Sequence, residues 1–288
     1  MSAPPPDSHL LRFTKHHGAG NDFLVQVDPG GSGPLPVDLV RALCDRRFGV
    51  GADGVIRVLE GDGSADLTMV LQNADGGEAE MSGNGMRCLA QAAVLSAMVL
   101  PPTFTVATAA GIKTVTYRES AEIHTAEATV GLGRAVLGKD EPQKFIDRKV
   151  RTVDMGNPHL VMFGPGPDLD EVDVVGIGTH LQTLYPGGVN VEFIASGEEP
   201  DNLVLRVFER GVGETQACGT GSAAAAAAAQ SWGLVGTEVD VHNPGGTLHV
   251  TLANDEILLR GPVHRIASVV VDPAALRAGA RPVLSTTA

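Results

Sequence analysis

Glu80-Met81-Ser82-Gly83-Asn84-Gly85 and Gln216-Ala217-Cys218-Gly219-Thr220-Gly221 are two copies of one plan. Each carries a [Ser/Cys]-Gly-[Asn/Thr]-Gly turn, follows an acidic stretch and runs into a long helical pattern. The turns lie 136 positions apart in a chain of 288 residues, which is about half its length. The spacing predicts an internal duplication with two similar lobes. A length prior of roughly 150 residues per domain agrees.

Outward from the two turns, few helix breakers occur at 84–99, and 222–230 is Ala-rich, so both segments read as helices. Helical periodicity also marks 37–46, with Leu39, Val40, Leu43 and Cys44 on one face. Strands are expected at 10–14, 23–27, 67–72, 103–107 and 113–117, the last two forming a hairpin around Ala110-Gly111. A strand at 127–132 opens the second lobe. Further strands are expected at 150–155, 159–163, 190–194, 203–208, 239–242, 248–252, 257–260 and 267–271. Residues 1–9 read as a disordered tail and the charged segment 139–148 as surface. The expected units are therefore 10–126 plus a returning 267–288, and 127–266.

Composition narrows the function. Formal net charge is −13, so there is no basic footprint for nucleic acid and little attraction to anionic membranes. Aromatic residues are only 4%, which argues against a base-stacking platform. Three cysteines, Cys44, Cys88 and Cys218, are too few and too scattered for a disulfide framework or a zinc site. The N-terminus lacks the pattern of a signal peptide, and no apolar run approaches a membrane span. The expected location is the cytoplasm, and the default oligomer is a two-fold homodimer.

A Cys-Gly-x-Gly turn at a helix start has distinctive chemistry. The first helical N–H groups lack intrahelical partners, and the helix dipole adds partial positive charge. A thiol there is expected to have a depressed pKa and to serve as a base. Glycines let a bound carboxylate approach backbone donors. Cys218 is thus a candidate catalytic thiol, with Gly219, Thr220 and Gly221 as a carboxylate cradle. The alternative is a buried, inert cysteine. Upstream, Glu209, Arg210 and Glu214 form either a solvated loop or a clamp for an ammonium and a carboxylate. His159 follows the turn signal Asn157-Pro158 at a strand end. Asn21, Asn73 and Asn190 are turn or cap residues by default. Cys88 and Cys44 read as packing. Gly49 to Gly54 matches G-x-G-x-x-G, but it follows a helical segment and is rejected as a dinucleotide site.

The ordered set resembles diaminopimelate epimerase. It comprises Lys15-His16-His17-Gly18-Ala19-Gly20-Asn21-Asp22-Phe23, Arg47-Phe48-Gly49-Val50-Gly51-Ala52-Asp53-Gly54, Asn73-Ala74-Asp75-Gly76 and Gly83-Asn84-Gly85. Gly156-Asn157-Pro158-His159, Asn190-Val191-Glu192-Phe193, the run from Glu209 to Thr215 and Ala217-Cys218-Gly219-Thr220-Gly221, with Gly245-Gly246 and Gly261-Pro262 near the end, complete it. The resemblance spans about residues 10–270. It implies an α+β fold of two similar lobes about a pseudo-two-fold axis, each a barrel-like, mainly antiparallel sheet around a central helix. It also implies an isomerase that needs no pyridoxal phosphate, metal or other cofactor. Its small-molecule substrate would be LL-2,6-diaminopimelate, converted to the meso form for lysine and cell-wall synthesis. In that family one cysteine from each lobe flanks the α-carbon, one thiolate taking the proton and the opposite thiol giving one back.

By the same resemblance Cys218 is the second-lobe cysteine, and Gly219 and Thr220 hold the α-carboxylate with Gly83 and Asn84 of the first lobe. Glu209 sits beside the α-ammonium, and His159 is a polar neighbour of the reacting centre. Asn21, Asn73, Asn157, Asn190 and Arg210 match substrate contacts. The departure is Ser82, where the family pattern has cysteine. A serine hydroxyl is a far weaker acid than a thiol, and no activating base lies nearby in sequence. The expectation is retained binding and impaired two-base epimerisation. Ser82 fits either a replaced cysteine or a natural variant working on another amino acid or by one-base chemistry; a role for Glu80 stays open. The alternatives to the epimerase are a related racemase, isomerase or lyase and a non-catalytic amino-acid-binding protein.

Overall fold

The computed structural model describes residues 10–31, 33–140, 148–164, 169–253 and 255–278. The expected tail at 1–9, residues 141–147 of the charged segment and the last ten residues lie outside them.

The first half of the chain forms β1 (Leu11–Gly18), β2 (Asn21–Val27), α1 (Val37–Cys44), β3 (Gly54–Glu60), β4 (Leu67–Asn73) and β5 (Glu78–Ala79). It continues through α2 (Gly83–Leu95), β6 (Thr103–Thr108), β7 (Gly111–Glu119), β8 (Thr125–Gly133) and β9 (Val136–Asp140). The second half repeats the order with β10 (Lys149–Asp154), β11 (Pro158–Phe163), α3 (Val174–Leu184), β12 (Asn190–Ser196), β13 (Asn202–Glu209) and β14 (Gly213–Thr215). Then come α4 (Gly219–Ser231), β15 (Glu238–Asn243), β16 (Gly246–Leu252), β17 (Ile257–Val271) and α5 (Pro273–Ala278). The 136-residue offset relates all but the last element of each half, where strand β9 has helix α5 as its counterpart: Gly54 and Asn190 open β3 and β12, and Gly83 and Gly219 open α2 and α4, each of 13 residues.

Strand pairing closes each half. In the first lobe β1, β2, β3, β4, β6, β7, β8 and β17 pair in turn, and β17 returns to β1. In the second, β10, β11, β12, β13, β15, β16 and β17 do the same, and β9 pairs with β10. The β8–β17 pair is common to both lobes. Most pairs are antiparallel. The parallel ones, β2–β3, β4–β6, β11–β12 and β13–β15, need crossovers, and each crossover carries a helix.

The crossovers divide by composition. α1 buries one face through Leu39, Val40, Leu43 and Cys44 and packs outside its barrel. α2 is buried from Gly83 to Ala93 and α4 from Gly219 to Ala229, so both thread the interior. Over these stretches neither helix presents a face to solvent: the polar residues of α2, Asn84, Arg87 and Gln91, are buried with the rest, and α4 is built of small residues. The seven alanines at 223–229 make α4 narrow enough to be enclosed on all sides.

The expected fold stands, with local corrections. Residues 257–260 and 267–271 belong to one strand, because Gly261 and Pro262 stay in register with Ala128 and Glu127. The expected divisions at 126/127 and 266/267 fall inside β8 and β17. The helix expected at 84–99 ends at Leu95, where Ala97 turns left-handed (φ 57°). β3 and α3 went unread: glycines at 176 and 178 hide the α3 face formed by Val174 and Leu181. Cys44 and Cys88 are buried, and burial pushes both thiols up to about 12.

Candidate active site

The starts of α2 and α4 meet where the lobes join. A Cβ on Gly219 would lie 3.1 Å from Gly83 Cα and 2.9 Å from Leu259 Cδ2, so a side chain there would press on the backbone of the facing turn. Each helix is capped by the residue before it. Ser82 Oγ accepts from Gly85 N at 3.0 Å, and Cys218 Sγ accepts from Gly221 N at 3.3 Å. Both caps line one cavity of about 300 Å³, room for a small polar metabolite. Two sets of first-turn N–H groups thus border one space, an arrangement suited to a carboxylate.

Of the residues named from sequence, Asn21, Asn73, Ser82, Gly83, Asn84, Asn157, Asn190, Glu209, Arg210, Cys218, Gly219 and Thr220 all line this cavity. His159 does not. It is fully buried behind Asn157, with Nε2 3.0 Å from Asn157 Oδ1 and Nδ1 2.6 Å from Glu192 Oε1.

Several amides are held by the framework. Asn84 Nδ2 donates to Ala217 O at 3.0 Å and to Asn21 Oδ1 at 3.2 Å, so it ties the lobes together. Asn190 Nδ2 donates to Pro158 O at 3.0 Å, and its Oδ1 accepts from Arg210 N at 2.9 Å. Asn21 Nδ2 donates to Asp53 Oδ2 at 2.7 Å. Glu209 Oε1 accepts from Thr215 Oγ1.

Electrostatics overturn one expectation. The Cys218 thiol is not depressed. Burial, then the carboxylates of Glu209 and Glu192, hold it well above the ordinary thiol value. The Gly221 N–H and the Thr220 hydroxyl pull the other way and lose. Glu209 is itself raised, first by burial and then by Glu192. The helix start acts on the thiol, but two nearby anions in a poorly hydrated site outweigh it.

Glu192 escaped the sequence reading of the site. It is fully buried, its Oε2 has no hydrogen-bond partner among the described residues, and a Cβ on Gly221 would come 2.8 Å from its Oε1. The available signal was a lone carboxylate in the apolar run Val191 to Ala195. Asp53, Thr215 and Lys113 also line the cavity and went unnamed. Among the described residues, no group of three or more His, Cys, Asp or Glu side chains is arranged to hold a metal ion.

Two barrels with their helix starts converging on one cavity define a class of fold. It is shared with a hydroxyproline epimerase from Agrobacterium vitis (TM-score 0.68, 18% identity, 92% of this chain and 93% of that one). It is shared also with a PhzF-family phenazine biosynthesis protein from Bacillus anthracis (TM-score 0.70, 15% identity, 91% and 99%). Sequence similarity is more specific. The diaminopimelate epimerase family model matches residues 13–137 and 151–266. A diaminopimelate epimerase of Streptomyces coelicolor is 39% identical over 93% of this chain and 97% of its own length. One of Methanothermobacter thermautotrophicus is 34% identical over 93% and 99%. The chain belongs to the diaminopimelate epimerase family.

Proposed function

We propose that the inter-lobe cavity binds 2,6-diaminopimelate and performs proton transfer at its α-carbon, the LL/meso interconversion that feeds lysine and peptidoglycan synthesis. The observation that carries this reading is that residues 82 and 218, from opposite lobes, cap two abutting helices and line the same cavity. The N–H groups of Gly83, Asn84, Gly219 and Thr220 receive the α-carboxylate. Glu209 receives the α-ammonium, and Asn21, Asn73, Asn157, Asn190 and Arg210 form the walls that hold the rest of the substrate. An ammonium beside Glu209 cancels an anion that keeps the Cys218 thiol protonated, so substrate itself readies the base. The Cys218 thiolate then takes the α-proton. The cradle stabilises the charge left on the α-carbon and carboxylate, a role of preorganised N–H donors. His159 acts from behind by fixing Asn157 and Glu192.

Return of a proton from the other face falls to residue 82. A hydroxyl is poorly matched to that task, and general acid–base catalysis is worth about 10²–10⁴-fold. The chain as it stands is therefore a competent binder and a poor two-base epimerase. No pyridoxal phosphate is required in this scheme, and the reading places the protein in the cytoplasm as a homodimer without nucleic-acid or membrane partners. No helix among the described residues is long and apolar enough to cross a membrane. The test is Ser82→Cys, assayed for LL-to-meso conversion by chiral chromatography. A gain of about 10²-fold or more is expected. A folded variant that binds diaminopimelate and gains nothing contradicts the scheme; a better ligand in a thermal-shift screen of amino acids contradicts the substrate.

A further inference from the structure

The two helix starts are alike in backbone and opposite in charge. Under the 136-residue offset the Cys218 side has His159, Glu192 and Glu209, whereas the Ser82 side has Phe23, Ile56 and Asn73 at the same places. Conversely, the Ser82 side has Arg87, and its counterpart is Ala223. Arg87 is fully buried on α2. Its guanidinium donates to Asn84 Oδ1 at 2.6 Å, to Pro262 O at 3.2 Å and to Gly83 O at 3.3 Å, all neutral acceptors. Room for it is made by two glycines: a Cβ on Gly18 would lie 2.8 Å from Nη2, and one on Gly261 would lie 3.3 Å from Cζ.

Among the described residues the neighbouring elements supply no anion hydrogen-bonded or ion-paired to Arg87. On β1, His16 is bonded to Gln91 and pulled down by burial to about 4, and His17 stacks on His264 of β17. Asp22 on β2 is paired with Lys15 and Arg46. Cys88 beside it is pushed up by burial, and Arg265 of β17 is another cation. Burial brings Arg87 down to about 10, so it remains a cation at neutral pH. A buried charge with only neutral partners is costly, and such a charge is retained where something else needs it.

We propose that Arg87 is a positioning residue of this site, supplying the buried positive charge beneath the first-lobe half of the carboxylate cradle and orienting Asn84 across the lobe junction. This rests on the cradle described under the proposed function. Because Arg87 claims Asn84 Oδ1, the amide must turn its Nδ2 toward Ala217 O, the residue before Cys218. The site thereby becomes electrically polarised, cationic under position 82 and anionic around Cys218. Of the other charged groups in the lining, Glu78, Glu80 and Arg210 are exposed, where water screens them, Asp53 is paired with Arg46, and Lys113 adds to the cationic side.

The test needs no substrate. In Ser82→Cys, the pH dependence of iodoacetamide alkylation is measured separately at residues 82 and 218 by peptide mass spectrometry. Residue 82 is expected to react with a midpoint at least about one pH unit below that of Cys218. Adding Arg87→Met is expected to raise the midpoint at residue 82 by about one unit, a tenfold loss of thiolate, while Arg87→Lys keeps it low. Equal or reversed midpoints in Ser82→Cys overturn the proposal even if Arg87→Met fails to fold. An unshifted midpoint at residue 82 in a folded Arg87→Met variant does so too. A parallel calorimetric titration with diaminopimelate separates the two readings. Failure of the otherwise unaltered chain to bind contradicts the proposed function alone, whereas binding that Arg87→Lys and Arg87→Met leave unweakened contradicts the role of Arg87.

Discussion

Cys218 shows how far a residue's chemistry depends on what the fold brings to it. Its local sequence, a helix start followed by glycines at 219 and 221, argues for an easily ionised thiol. Burial and the carboxylates of Glu209 and Glu192 reverse that. Removing one negative charge should favour the thiolate, so Glu209→Gln should lower the pH at which Cys218 is alkylated. Reaction rates from pH 6 to 10 with mass-spectrometric readout check this, and an unchanged or raised midpoint would count against the assignment. The Cys218 turn was legible because a helix start is a local signal, whereas Asn21, Asn73, Asn157, Asn190 and Arg210 were reached through the family resemblance, since their local sequence reads only as turn or loop. Glu192 and Arg87 were not legible, because a charged residue on a strand or helix looks the same from sequence whether it faces water or a buried partner.

At the scale of elements, the site depends on two helix ends that touch. A methyl at residue 219 would meet Leu259 Cδ2 at 2.9 Å and Gly83 Cα at 3.1 Å, and backbone cannot yield as a flexible side chain can. Gly219→Ala should therefore cost about 1–3 kcal/mol, the usual penalty for overpacking. It should lower Tm by several degrees and weaken diaminopimelate binding about tenfold or more, because the cradle opens as the ends part. Calorimetric scanning and titration check both effects; a variant of unchanged Tm and affinity would show that the helix ends are free to move apart. The helices α2 and α4 were legible from their turns. β3 and α3 were not: β3 sits in an apolar run too short to distinguish strand from helix, and glycines interrupt the α3 pattern. That 257–271 forms one strand depends on pairing with β8 and β1, which no local signal encodes.

For the whole molecule, a single repeat length predicted from two short turns organises every element but the last of each half, and the lobes share the β8–β17 seam. Among the described residues both barrels close through strand pairing, which leaves little sheet edge to pair with another chain. The core near the seam also carries a pH liability. His16, buried between Gln91 and Thr14, is held down to about 4, chiefly by burial. The unfolded chain takes up a proton near pH 6.5 that the folded chain refuses until about pH 4. This contribution to stability is therefore complete above pH 6.5 and lost as pH falls toward 4, up to about 3 kcal/mol. His16→Gln should flatten that part of the Tm–pH curve, and a parallel loss in both proteins would contradict the account.

The central claim is that Cys218 is a working base facing a second position, Ser82, that carries a hydroxyl and not a thiol. The most direct measurement is α-proton exchange in deuterated water, with LL- and meso-diaminopimelate supplied separately to the unaltered chain and to Cys218→Ala. The account predicts deuterium uptake into one isomer only, without interconversion, and no uptake with Cys218→Ala. Uptake into both isomers with interconversion, or undiminished uptake with Cys218→Ala, would contradict it.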